Sequence, residues 1–247
     1  MTNLITKVQM EQIELLCKQY SIMYYSINSD GSVNSDSDVF LDDLKLTKLP
    51  LKFNNVSGSF YCNQNNLTSL EGSPKHVGGN FICANNMLTS LEYSPLTVGK
   101  VFNCCENKLI TLKGSTKIIN DSFFCNNNKL KTLIGGPHRV KWTFDCRNNP
   151  IETLNGAPEY IGRNLDCFSQ SYKSLLKSTF SGEVDVEVVG SANFNNCYAL
   201  PSLIKYNLKH IKLILKYQRH FLIWNDDLSL NEDALLELLD EIEDGLQ

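Results

Sequence analysis

Phe60-Tyr61-Cys62-Asn63-Gln64-Asn65-Asn66-Leu67-Thr68-Ser69-Leu70 is followed 21 residues later by Phe81-Ile82-Cys83-Ala84-Asn85-Asn86-Met87-Leu88-Thr89-Ser90-Leu91. The step continues without a slip, so that Cys62, Cys83, Cys104, Cys125, Cys146 and Cys167 stand in one column. Two residues before each cysteine come Phe60, Phe81, Phe102, Phe123, Phe144 and Leu165. Three after come Asn65, Asn86, Asn107, Asn128, Asn149 and Gln170, and aliphatic columns beginning at Leu67 and Leu70 run on to Tyr172 and Leu175. A weaker column of Val77, Val98, Ile119, Val140 and Ile161 precedes the next Phe by four, and Pro74, Pro95, Pro137 and Pro158 punctuate the return. A fixed period of this length dictates a solenoid, in which each unit buries its apolar side against its neighbours.

Phe and Cys alternate with other residues, so a short strand turns both toward one interior. Cysteine suits a narrow inward position as a small hydrophobe. The Asn column is placed to satisfy backbone groups where the strand turns away. Gly and Pro in the return favour an extended or turn-rich convex side over a long helix. The unit F-x-C-x-x-N-x-L-x-x-L resembles the core of a leucine-rich repeat, with Phe and Cys in two leucine slots. The expected fold is therefore a right-handed leucine-rich repeat solenoid, with short parallel strands on the concave face and few helices on the convex side.

The frame extends to Val39, Leu41, Leu46, Leu49 and Val56 on one side and to Val186 and Val188 on the other. That makes about eight strands and a sheet roughly 35 Å long. Open ends need atypical terminal units. Residues 1–38 are expected to form an N-terminal cap: an amphipathic helix over 4–19 carrying Leu4, Val8, Ile13, Leu16 and Cys17, then a hairpin turning at Ser29-Asp30-Gly31-Ser32. The solenoid then covers 39–190, and 191–247 form a helical C-terminal cap. There one helix carries Lys205, Lys209, Lys212, Lys216 and Arg219, and a second opens on Ser229-Leu230-Asn231-Glu232 as a capping box. The second helix is acidic and is expected to pack against the first and neutralise it.

The 247 residues carry 42% hydrophobic and 20% charged side chains and a net charge of −4, which argues against disorder and against a dedicated nucleic-acid binder. No apolar run reaches the roughly 18 residues of a membrane helix, and the first residues lack the apolar core of a signal peptide. No membrane association is expected. Of the nine cysteines, the six at the 21-residue step supply no close ligand pair for zinc and point poorly for disulfides, so they read as buried reduced thiols. Asp30, Asp36 and Asp38 miss the calcium-loop spacing and read as a turn. Neither His76, His138, His210 and His220 nor any Ser or Cys forms a catalytic constellation, and no phosphate-binding loop is present. No cofactor or metal is expected, and the chain reads as a non-enzyme. Cys105, predicted to point outward beside inward Cys104, is the one candidate reactive thiol.

What remains is surface. The outward columns of the strands, such as Tyr61, Ile82, Asn103, Phe124, Asp145 and Asp166, change freely while the inward columns hardly vary. Large apolar groups with an arginine are favoured anchors of protein interfaces. The candidate partner-binding residues on the concave face are Tyr61, Ile82, Glu106, Phe124, Asp145, Arg147, Asp166 and Phe168. Drift on a solvated sheet, or burial beneath a loop or another copy, would give the same columns.

Runs such as Cys62-Asn63-Gln64-Asn65-Asn66-Leu67-Thr68-Ser69-Leu70-Glu71-Gly72-Ser73-Pro74, Val77-Gly78-Gly79-Asn80-Phe81 and Tyr25-Ser26-Ile27-Asn28-Ser29-Asp30-Gly31-Ser32 resemble the short-repeat branch of the leucine-rich repeat family encoded by large tailed bacteriophages. The similarity covers roughly residues 20–180. It implies non-enzymatic binding of a bacterial host protein, such as a component of anti-phage defence, in the cytoplasm of the infected bacterium. The rival expectation is a structural or self-assembling particle component, and a homo-oligomer is compatible with either.

Overall fold

Side chains that alternate once per 21 residues stack on themselves at every turn, and the chain closes into a parallel β-solenoid. The computed structural model describes residues 5–167, 185–194, 200–227 and 229–247. Two sheets run along it. The first, here the Phe sheet, has eight strands among the described residues, from Val39–Phe40 through Phe60–Tyr61, Phe81–Ile82, Phe102–Asn103, Phe123–Phe124, Phe144–Asp145 and Leu165–Asp166 to Ala192–Asn193. Its pairs are parallel and in register, with Phe60 opposite Phe81 and Phe123 opposite Phe144.

The second, the Val sheet, has nine strands among the described residues and occupies the return, where an extended or turn-rich segment was expected. It consists of Phe53–Val56, His76–Val77, Thr97–Val98, Ile118–Ile119, Arg139–Val140, Tyr160–Ile161 and Glu187–Val188, preceded by the hairpin Tyr25–Ile27 and Val33–Ser35. The hairpin is antiparallel within itself, but Val33–Ser35 pairs parallel with Phe53–Val56 and begins the stack. Most of these strands hold two residues with one inward side chain, too short for alternation to be read along the chain. The β-branched column of Val and Ile supplies the pairing instead.

Between the sheets lies one core. The inward Phe rings contact each other from turn to turn, with centroids 5.8, 5.2, 5.1 and 5.7 Å apart from Phe60 to Phe144. Six cysteines from Cys62 to Cys167 and the Leu columns are buried beside them. The Asn column holds the turns together. Asn107 Nδ2 donates to the carbonyls of Cys104 (3.2 Å) and, one turn back, Cys83 (3.0 Å), while its Oδ1 accepts from Leu88 N at 3.0 Å. Asn86, Asn128 and Asn149 repeat these contacts.

At the last turn the sequence frame slips. Leu165 pairs with Ala192 and Ile161 with Val188, so the step is 27 residues rather than 21. Val188 therefore lies in the Val sheet, not in the Cys column, and buried Phe194 takes the place a cysteine would fill. Val186 is buried too, its amide bonded to Leu215 O.

Helix α1 (Lys7–Gln19) starts at Thr6, whose side chain and that of Gln9 cap each other's backbone. Cys17 is buried and Ile13 and Leu16 pack on the core, but Val8, expected inward, is exposed. After the solenoid come α2 (Ser202–Tyr206), a 3-10 turn at Leu208–His210, α3 (Ile211–Tyr217) and α4 (Glu232–Glu243). The expected basic helix is thus broken at Asn207, whose Nδ2 bonds Leu203 O and so competes with the helix backbone. Helix α4 is capped by Asn231, which accepts from Ala234 N, and not by Ser229, which turns back to Asp227.

Candidate functional site

The period that hides Phe and Cys displays the residue between them. On the outer face of the Phe sheet, Tyr61, Ile82 and Phe124 are half-buried, less open than expected, because parallel strands about 4.8 Å apart bring the same column into contact. Tyr61 stacks on Phe40, with centroids 5.1 Å apart and planes 3° from parallel. Phe40 lies 21 residues before Tyr61 in the same column and is exposed, so it belongs to this surface although no candidate list from sequence held it. The frame extended to Val39 and Leu41 places Phe40 between them, so carrying the outward column back with it would have found it.

The other end of the face is charged. Asp145 was expected on the surface but is buried, only 2% exposed. Arg147 closes over it with Nε to Oδ1 at 2.8 Å and Nη2 to Oδ2 at 2.6 Å, and the Arg147 amide reaches the same carboxylate at 3.0 Å. Asp145 therefore holds Arg147 rather than meeting solvent. Asp166 pairs with Asp145 across the strands. Its carboxyl is shifted above the usual carboxylate range by burial and then by the Asp145 charge, against the pull of Arg147 and Asn193. Asn193 was not foreseen, because the longer last step moved it out of frame. Phe168, the remaining candidate, lies outside the described residues, as do Gln170, Tyr172, Leu175 and Cys197.

Glu106 is exposed at the corner after the strand, with φ of 54°. That position is left-handed in six consecutive turns, at Asp43, Gln64, Asn85, Glu106, Asn127 and Asn148. Asn and Asp tolerate it best. Cys105 is half-buried rather than fully outward. Burial and neighbouring Glu106 both raise its thiol pKa, which disfavours a reactive thiolate. Cys83, Cys104 and Cys125 are pushed up further by burial, and Cys17 to about 11. All described cysteines are free; the Cys146 and Cys167 thiols share a hydrogen bond with sulfurs 2.9 Å apart and form no disulfide.

The carboxylates near the N-terminal hairpin serve the backbone. Asp30 accepts from Ser32 and from Lys52 Nζ at 2.8 Å, and Asp38 from Ser59 N at 2.6 Å. Among the described residues no group of His, Cys, Asp and Glu could hold a metal ion. No helix among them is long and apolar enough to cross a membrane.

A second surface opens at the proline side. A groove of about 800 Å³ is lined by Leu49, Pro50, Leu51, Pro74, Tyr93 and Leu96, among others. Tyr93 has φ of 67° where four other turns place Gly72, Gly114, Gly135 and Gly156. The charges at the C-terminal end also differ from expectation. Helices α3 and α4 pack through apolar residues, yet no ion pair joins them among the described residues. Lys212 and Lys216 donate instead to the carbonyls of Val189 and Gln247. No protein-family model, curated protein or solved structure matches the chain.

Proposed function

We propose that the chain is a non-enzymatic protein-binding module of leucine-rich repeat type, encoded by a bacteriophage, which engages a bacterial host protein in the host cytoplasm. A defence component is the target class the resemblance favours. The binding face is the outer side of the Phe sheet, taken as concave. One observation carries the reading: over an interior that repeats almost without change, this face goes from the Phe40–Tyr61 stack to an arginine held by a buried carboxylate. The carboxylate is buried while Arg147 stays 38% exposed, so burying Asp145 costs desolvation and leaves a guanidinium that still reaches the surface. Arg147 is held in place before any partner arrives, which lowers the entropy cost of binding. The shift of the Cys105 thiol away from its reactive form weighs against Cys105 as a nucleophile.

The test is affinity purification from host lysate with the wild type beside Phe40→Ala/Tyr61→Ala and Tyr61→Ala/Phe124→Ala/Arg147→Ala. Loss of the same partner in both variants, with circular dichroism unchanged, supports the face. Equal recovery by all three removes it.

A further inference from the structure

The outer face of the Val sheet is basic over three successive strands. Arg139 and Tyr160 are strand neighbours, and the Arg139 guanidinium lies 3.8 Å from the Tyr160 ring centroid. Arg163 lies 5.2 Å from that of Trp142, and Lys117 and Lys141 flank them, both exposed. The acidic groups here lie at the margins: Glu159 sits 3.7 Å from His138, Asp121 accepts from Ser122, and exposed Glu187 stands on the next strand opposite Tyr160. Apolar groups rise among the cations, with Ile118 59% and Trp142 45% exposed.

Helix α4 is the opposite. Residues 229–247 contain seven carboxylates and no Lys or Arg. Leu235, Leu238, Leu239 and Ile242 face the core, which leaves the acids outside with exposed Leu236 among them. None of these carboxylates makes an ion pair among the described residues. Glu237 and Glu241 are four apart and repel, and the last turn places acids where the helix dipole disfavours them. Such a helix gains from a basic partner more than from solvent.

We propose that the chain self-associates, α4 of one copy lying on the basic, aromatic outer face of the Val sheet of a second. The dimensions agree. Twelve helical residues span about 18 Å, and the strands from Thr97–Val98 to Tyr160–Ile161 cover about 14 Å. Leu236 meets Trp142 and Ile118, which gives the charged contact an apolar centre. Helix α3 packs on Glu187–Val188, the strand next to Tyr160–Ile161, and α4 packs on α3. Both surfaces therefore lie at one end of the molecule, where a twofold axis pairs them reciprocally.

Sedimentation velocity at low and high salt tests this, with Lys141→Glu/Arg163→Glu and Glu237→Lys/Glu241→Lys, all at exposed positions. The wild type is expected to be a dimer at low salt that dissociates as salt is added. Each double variant weakens it roughly tenfold or more. An equimolar mixture of the two variants restores the dimer, because each reversed surface then meets its complement. A wild type monomeric at low salt, a dimer indifferent to both variants, or a mixture that stays monomeric overturns the proposal. A monomeric wild type that binds a labelled single-stranded oligonucleotide through Lys141 and Arg163 assigns the face to nucleic acid instead. None of these residues lies on the Phe sheet, so the outcome is separate from that of the purification experiment.

Discussion

Replacing Asn107 by Ala cuts the link between two neighbouring turns at the middle of the stack. In the wild type this buried amide satisfies Leu88 N, Cys83 O and Cys104 O. Without it, Leu88 N–H is left buried and unpaired, Cys104 O keeps only Asn128, and Cys83 O keeps only Asn86. An orphaned amide costs about 1–3 kcal/mol and each lost hydrogen bond about 0.5–1.5, so the variant should lose about 3–4 kcal/mol. That is a large share of the roughly 5–15 kcal/mol available to a folded protein. Equilibrium urea unfolding followed by far-ultraviolet circular dichroism reads it as a lower midpoint. Asn66→Ala, at an exposed position one residue beyond the same column, is the control. Asn107→Asp adds a direction. It keeps an acceptor for Leu88 N but sets a carboxylate against two carbonyls, so its folded pKa is raised and its deficit grows as pH climbs past the ordinary carboxylate range. A midpoint and slope for Asn107→Ala indistinguishable from those of Asn66→Ala would refute the claim that the asparagines bind the turns together.

Tyr93→Gly should stabilise the protein by about 1 kcal/mol, because a tyrosine there carries a left-handed strain that glycine does not; a melting temperature that falls would count against this. Asp166→Asn should stabilise at neutral pH, and the gain should vanish in acid. The raised folded pKa means the wild type is relatively most stable with Asp166 protonated and loses that stability as pH rises through it; a gain that is the same at all pH values refutes the assignment. Iodoacetamide at mildly alkaline pH, in a Cys197→Ser background, should modify Cys105 slowly and leave the buried column unlabelled in the native state. Glu106→Gln should speed the reaction at Cys105, and no acceleration would mean that Glu106 does not set its pKa.

The Phe sheet was legible because three independent columns repeat at one step. Phe, Cys and Asn do different jobs, in packing, in filling a narrow slot and in bonding the backbone, yet all keep the same register. The Val sheet was not legible as a sheet. A two-residue strand shows one inward side chain, and Val77 or Ile119 alone carries no period of two. Only pairing between turns reveals it, and pairing is a property of the stack. The last turn failed for a related reason. A fixed step aligns Val186 and Val188 with Leu165 and Cys167, and both valines are indeed buried, so the error carries no chemical warning. Phe194, an aromatic in a slot that otherwise takes Cys, marks the true position only once the strands are paired.

The functional surface divides along the same line. Sequence could say which column faces outward, because alternation fixes that, but not what each outward side chain meets. Tyr61 has Phe40 beside it and Asp145 has Arg147 over it, so two residues of the same column end as a half-open aromatic stack and a buried carboxylate beneath a half-open arginine. Contact between equal positions in successive turns decides such outcomes, and it couples residues 21 apart as closely as a helix couples residues four apart. A change at one turn should therefore be read through its neighbours above and below: Asp145 cannot be altered without releasing Arg147 and relieving Asp166. Recognition by this face is for that reason a property of adjacent turns taken together, which single substitutions at Tyr61 or Arg147 sample only in part.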